Sequence, residues 1–169
     1  MKEKILEVKN LSFSYKDQKV LSDLSFDVYK GDYFGILGPN GSGKTTLLKL
    51  CLGLISSKEG TIKIFGEDIK DTEQKNKISY ISQKSNAFNV SFPATVQELI
   101  YSSLRSVGYD SKSSKKMTSD AIELVGIGHI ADRRIGNLSG GQQQKAFIAK
   151  AISSKPEIIF LDEPTVGID

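Results

Sequence analysis

The stretch YFGILGPNGSGKTTLLKL, residues 33–50, decides the fold. Residues 33–38 are an apolar run ending in glycine, which predicts a short strand covered on both faces. Leu47, Leu48, Leu50, Cys51 and Leu54 recur at helical spacing and predict an amphipathic helix. Between them, Gly38-Pro39-Asn40-Gly41-Ser42-Gly43-Lys44-Thr45 fits G-x-x-x-x-G-K-[ST] in full. The glycines let the loop turn back so that its backbone N–H groups converge on phosphate oxygens, and the helix N-terminus adds positive potential. Lys44 would reach the β- and γ-phosphates, and the Thr45 hydroxyl would help to hold Mg²⁺. Gly38, Asn40, Gly41, Ser42, Gly43, Lys44, Thr45 and Thr46 are therefore candidate nucleotide-binding residues. A glycine-rich strand-to-helix turn with a chance lysine is the alternative; the flanking strand and helix favour the nucleotide.

Outward from this loop the chain changes style. Residues 5–15 and 20–29 alternate apolar and polar, as half-exposed strands of an antiparallel opening do. Residues 60–66 and 78–83 read as further strands. Three helices follow. Val96, Leu99, Ile100 and Leu104 mark the first, with Thr95 as its cap. Met117, Ala121, Ile122, Leu124 and Val125 mark the second, ending at Gly126. Phe147, Ile148, Ala151 and Ile152 mark the third, closed by Pro156. The polar segment 108–116 reads as an exposed connector. The order implies an α/β core with a small β layer and a helical subdomain: a single domain over 1–169, with core at about 1–83 and 154–169 and the helical part at 84–153.

A net charge of +3 over 169 residues is too weak for a dedicated nucleic-acid binder, so none is expected as a partner. One cysteine, Cys51, permits no intrachain disulfide and suits a reducing compartment. No apolar run is long enough to span a membrane, and the start lacks a signal-peptide block. A cytosolic protein that meets the membrane through a partner is expected.

Two further features point at phosphate chemistry. The run IIFL (158–161) ends in Asp162 and Glu163. At a strand's end both carboxylates can face one phosphate. Asp162 could hold Mg²⁺, commonly through water, and Glu163 could orient or deprotonate an attacking water. Solvated acids ending a strand are the plain alternative. The segment LSGGQ (138–142) precedes the third helix. Ser139, Gly140 and Gly141 there could form a second anion cradle. Taken alone, the segment reads as a helix cap with Ser139 at the N-cap.

Together, GPNGSGKT, LSGGQ and IIFLDEP occur in the order of the ATP-binding subunit of ABC transporters, and the chain resembles that family from about residue 5 to 169. The resemblance implies an ABC ATPase fold of the P-loop NTPase class, with ATP and Mg²⁺ as cofactors. It assigns Tyr15 to stacking on adenine and Gln83 to sensing Mg²⁺ and the γ-phosphate. It assigns Ser139, Gly140, Gly141 and Gln142 to ATP held by a second ATP-binding subunit, so that ATP is sandwiched in a head-to-tail dimer. It places Asp169 in the loop crossing that interface. Lys145 and Lys150 stand where arginines are more usual; charge is kept, though the two side chains are not equivalent.

The segment NVSFPATVQELI (89–100) resembles the region after the glutamine loop in subunits of zinc and manganese importers, with iron-chelate importers close competitors. The resemblance thus implies an ATPase on the cytoplasmic face of the membrane. It would serve integral permease subunits and, indirectly, an extracytoplasmic solute-binding protein. The ATPase itself is not expected to touch the metal: His129 and Cys51 form no ligand cluster, and His129 reads as a surface-loop residue. Soluble relatives acting in translation or DNA repair are the competing reading. So is a non-catalytic nucleotide-binding fragment. The distance from Lys44 to Asp162 leaves no room for the long coiled coil of the repair type, and translation types usually carry two such domains. Members of the family continue past Asp169 with a strand and a switch histidine, so the resemblance also implies a chain incomplete at its C-terminus. It would lack a central strand, leave buried polar groups on 33–37 and 158–161 without partners, fold poorly and turn over little ATP.

Overall fold

A computed structural model describes residues 2–82 and 93–162. The chain forms two compact units, Met1–Lys75 and Asn76–Asp169.

In the first unit, strand β1 (Lys4–Tyr15) pairs antiparallel with β2 (Gln18–Tyr29) through a tight turn at Lys16 and Asp17. The period-two alternation produces this hairpin: Val8 and Leu11 of β1 and Leu21 and Val28 of β2 are buried. Strand β3 (Glu59–Ile64) takes the other edge of β1, and the short β4 (Glu67–Asp68) follows, giving the order β2-β1-β3-β4. The two backbones come very close where β3 begins. A Cβ added at Gly60 would lie 2.6 Å from the carbonyl oxygens of Lys9 and Asn10 and from Leu11 Cα, and Gly60 has φ +83. The register between β1 and β3 shifts at this point, between Lys9 and Ser12. Helix α1 (Lys44–Cys51) buries Leu47, Leu48, Leu50 and Cys51. Leu54 lies beyond the helix and is exposed.

The strand expected at 33–38 does not form. These residues join neither sheet, and Tyr33 and Leu37 are fully exposed. Phe34 stacks on Phe26 with ring centroids 4.9 Å apart. An apolar run becomes a covered strand only where neighbours supply both backbone partners and side-chain cover, and among the described residues none pairs with 33–38. Residues 33–38 are exposed except for the half-buried Ile36, and Gly38 O accepts from the Lys44 ammonium, so the segment is not buried as the sequence led one to expect.

In the second unit, β5 (Ile78–Ile81) and β6 (Ile158–Leu161) form a parallel pair, Ile78 opposite Ile158 through Ile81 opposite Leu161. Residues 158–161 thus have backbone partners along one edge. Helices α2 (Val96–Ser106), α3 (Ser111–Val125) and α4 (Gly140–Ser153) enclose a core that includes Val96, Ile100, Leu104, Ile130, Ile135 and Phe147. Thr95 caps α2 as the sequence suggests. Its side chain accepts from the Glu98 amide, and the Glu98 carboxylate accepts from the Thr95 amide at 2.8 Å, a reciprocal capping box. The start of α2 is also tied to residues 131–135, with Val96 N donating to Arg133 O at 3.1 Å and Ile135 N to Ala94 O at 3.0 Å.

Helix α3 corrects the reading of 108–116 as an exposed connector. Asp110 is its N-cap, accepting from the amides of Lys112 at 2.8 Å and Ser113 at 3.0 Å. Six polar residues before Met117 are therefore helical. The inward positions are Ser114, Thr118, Ala121 and Ile122, and Ser114 is fully buried. Leu124 points away from this face and is 77% exposed. The helix closes at Gly126, φ 69, as predicted.

Candidate functional site

The phosphate-loop candidates belong to the first unit. Residues 38–43 arrive from the solvent-facing segment 33–37 and end at Gly43, the residue before α1, with φ 93. A Cβ at Gly43 would lie 2.9 Å from Val20 Cγ1 and 3.0 Å from Leu21 Cδ2, so the loop is pressed on β2 where a side chain cannot fit. Gly38 is also close-packed, against Ser42: an added Cβ would meet Ser42 Oγ at 2.7 Å. A turn closes the loop, with Ser42 N donating to Pro39 O at 3.2 Å. The Lys44 ammonium folds back over it, donating to Gly38 O at 2.8 Å and Pro39 O at 2.9 Å. The lysine thus sits against the loop that the sequence assigned to phosphate. Asn40, Gly41 and Ser42 are exposed, and Thr45 and Thr46 are half-buried on the first turn of α1. Tyr15 ends β1, 47% exposed, edge-on to Phe13 with centroids 4.8 Å apart.

The second unit holds the carboxylate and the serine–glycine segment. Asp162 extends the β5–β6 ladder by one residue, its amide donating to Ile81 O at 3.0 Å. Its side chain is only 4% exposed. The alternation of parallel strands sets Tyr80, Phe160 and Asp162 on one face, and the Tyr80 hydroxyl donates to Asp162 Oδ2 at 3.4 Å. Burial, and after it the Asp162 carboxylate, hold the Tyr80 phenol above its ordinary pKa, so at neutral pH it is a donor.

Ser139 is the N-cap of α4 in a full capping box. Its Oγ accepts from Gln142 N at 3.3 Å, and Ser139 N donates to Gln142 Oε1 at 3.1 Å. The cap reading is thus what the geometry displays. It leaves the hydroxyl proton free in orientation, since a serine accepts and donates at once. Gly140 and Gly141 are exposed, and an added Cβ at either would meet nothing within 4 Å. Behind them Gln143 is buried, its Nε2 donating to Ile135 O at 3.1 Å and Leu138 O at 3.3 Å. It anchors the turn that presents Ser139. Gln83, Glu163 and Asp169 lie outside the described residues, as does the stretch 89–92 of the importer-like segment.

Each unit by itself offers an oxygen donor of the kind Mg²⁺ takes, the Thr45 hydroxyl in the first and the Asp162 carboxylate in the second. No group of three or more His, Cys, Asp or Glu that could hold a metal occurs among the described residues. No helix among the described residues is long and apolar enough to cross a membrane.

Two side-chain contacts, those of Tyr80 and Gln143, escaped the sequence reading. Tyr80 was legible as a strand residue, but only the register of β5 on β6 aims it at Asp162. Gln143 is the middle of three consecutive glutamines. Its one distinguishing signal is helical phase, three and four residues ahead of the buried Ala146 and Phe147.

Residues 21–166 match the ABC transporter family. The chain belongs to that family. It is 47% identical over 170 residues to the zinc uptake system ATP-binding protein ZurA of Listeria monocytogenes serovar 1/2a, covering 98% of this chain and 66% of that protein. It is 37% identical over 173 residues to the high-affinity zinc uptake system ATP-binding protein ZnuC of Bacillus subtilis, covering 98% of this chain and 72% of ZnuC. Among solved structures, cbiO1 of Clostridium perfringens, part of the ABC transporter complex cbiONQ, superposes with a TM-score of 0.84 at 27% identity. That match covers 99% of this chain and 68% of the other. The α/β architecture is therefore the ABC ATPase fold, and the chain spans about two thirds of the length of these ABC relatives.

Proposed function

We propose that this chain binds ATP with Mg²⁺ and hydrolyses it as the energising subunit of a membrane importer for a divalent metal ion, zinc or manganese. The observation that carries the nucleotide half is the loop at 38–45. A loop pressed on β2 at Gly43 and closed by the Ser42–Pro39 turn leads into α1 with the Lys44 ammonium folded over it, an arrangement that supports anion binding. Support for the cargo comes from the relatives, which are named as zinc uptake and manganese transport ATP-binding proteins.

In this reading Lys44 leaves the Gly38 and Pro39 carbonyls for phosphate oxygens, and Thr45 and Asp162 hold the metal's ligand shell. Bound Mg²⁺ would neutralise charge developing on the terminal phosphates. Glu163 orients and deprotonates the attacking water, Gln83 senses metal and γ-phosphate, and Tyr15 offers its ring to the base. Ser139, Gly140, Gly141 and Gln142 face the nucleotide of a second ATP-binding subunit in a head-to-tail dimer, with Asp169 at the crossing. Integral permease subunits would carry the assembly on the cytoplasmic face of the membrane and receive cargo from a solute-binding protein.

Two substitutions test this reading. Lys44→Ala removes the cation over the amide ring and is expected to abolish tight ATP binding, measured by calorimetry. Glu163→Gln is expected to bind ATP, lose turnover and accumulate a closed dimer. Normal turnover by Glu163→Gln would remove Glu163 as the base, and undiminished binding by Lys44→Ala would remove the loop as the nucleotide site.

A further inference from the structure

We propose that Phe13 is a positioning residue for Tyr15, holding the ring on which a nucleotide base would stack; this rests on the reading of 38–45 as the phosphate loop and of Tyr15 as the base platform. Every residue concerned lies in the first unit. Phe13 and Tyr15 are two residues apart on β1, so the pleat sets them on one face. Their rings meet edge to face, with centroids 4.8 Å apart and planes at 87°, while Tyr15 stays 47% exposed. A tyrosine left to itself at a strand end turns among staggered rotamers, and only the fraction in the right one meets an incoming base. A perpendicular ring contact favours one of them. Phe13 has its own neighbour across the ladder. It lies opposite Leu21 on β2, whereas Ser14 lies opposite Lys19, so Val20 has no residue facing it. Such an extra residue is a bulge, which re-aims the strand that carries it. Val20 and Leu21 are also the residues that a Cβ at Gly43, at the end of the phosphate loop, would meet. One short piece of β2 thus lies against the loop and beside Phe13, and Phe13 in turn holds Tyr15. A nucleotide joins its base to its phosphates through a single ribose, so the two halves of its site must keep a limited span. This run of neighbours would hold them at it.

The test compares, by calorimetry on the 169-residue chain, the affinities for ATP and for tripolyphosphate, which has the phosphates and no base, both with Mg²⁺. Phe13→Leu and Phe13→Met remove the ring and keep an apolar side chain. Each is expected to weaken ATP binding about two- to tenfold, the worth of an aromatic pair, with tripolyphosphate binding unmoved. Phe13→Tyr keeps the ring and should bind ATP as the unmodified chain does. Tyr15→Leu separates the two layers of the reading, and should lower the ratio of the two affinities at least as far as the Phe13 variants. If Tyr15→Leu lowers that ratio and the Phe13 variants do not, the positioning role falls and the base platform stands. If none lowers it, both fall. Equal weakening of ATP and tripolyphosphate in Phe13→Leu and Phe13→Met makes the ring a structural prop and overturns the proposal. If the unmodified chain binds neither ligand, the phosphate-loop reading falls and the proposal with it.

Discussion

Replacing Ser139 by alanine deletes one hydroxyl that has two proposed employments, and the structure lets them be separated in size. As a cap, Oγ accepts from Gln142 N at 3.3 Å, long for a bond of this type. Ser139 is exposed, so water can satisfy the amide once the hydroxyl is gone. The reciprocal bond from Ser139 N to Gln142 Oε1 uses the backbone and survives the change. The loss of stability should thus sit at the low end of the usual range for N-caps, about 0.5–1 kcal/mol. As a phosphate ligand the same hydroxyl would donate to a charged oxygen. Such bonds contribute about 1.5–3 kcal/mol, roughly ten- to a hundredfold in an equilibrium constant. A symmetric dimer makes the contact twice. Urea unfolding should therefore show Ser139→Ala barely weakened. Sedimentation of the Ser139→Ala, Glu163→Gln double variant with ATP should show dimerisation weakened by about a hundredfold or more. Ser139→Gly, which costs a cap only a few tenths of a kcal/mol, should dimerise just as poorly. If both variants dimerise normally and alanine costs more than about 2 kcal/mol, Ser139 is a cap and nothing else.

Three other outcomes are expected. Gly60→Ala should destabilise the chain by at least about 2–4 kcal/mol, combining left-handed strain with overpacking against backbone that cannot rotate away; a thermal midpoint within two or three degrees of the parent, roughly 1 kcal/mol, would show that β3 does not enter as described. Thr118 Oγ1 is buried without a hydrogen-bond partner among the described residues, so Thr118→Val should stabilise the chain by about 1 kcal/mol, and a loss in urea unfolding would mean that the hydroxyl has found water. Burial pushes the Cys51 thiol from its ordinary 9.0 up to about 12. The folded chain then keeps its proton where the unfolded chain releases it. This contribution is full below pH 9 and is lost progressively as pH rises from there through the folded value. Iodoacetamide at pH 8 should label Cys51 slowly in buffer and quickly in urea, and equal rates would place the thiol outside the core.

Much of this architecture could be read from residue order, and the failures have identifiable causes. The β1–β2 hairpin announced itself because alternate residues meet two different media, core and water. Helix α2 did so through its apolar spacing and the Thr95 cap, local signals whose chemistry needs no tertiary context. Helix α3 began earlier than its apolar pattern because its first inward positions are Ser114 and Thr118, small enough to bury yet invisible to a hydrophobicity scan; Asp110 was the overlooked signal. Residues 33–38 failed in the opposite sense. Their apolarity was plain, but strand formation depends on neighbours that a local reading cannot supply. At the site, the loop at 38–45 could be picked out from its spacing alone, and the structure describes it as a tight turn entering α1 with Lys44 folded over it. The Tyr80–Asp162 contact was not, because 82 positions separate the partners and only strand register joins them.

In the resting loop Lys44 already has two acceptors. A triphosphate bound as proposed would have to outcompete the Gly38 and Pro39 carbonyls, so binding would exchange old bonds for stronger ones and gain only the difference. Self-occupancy of this kind lowers apparent affinity while keeping the ammonium from wandering. If the loop takes nucleotide as proposed, the same two carbonyls would receive the ammonium again when a product leaves, so one pair of backbone oxygens would serve as its berth between ligands.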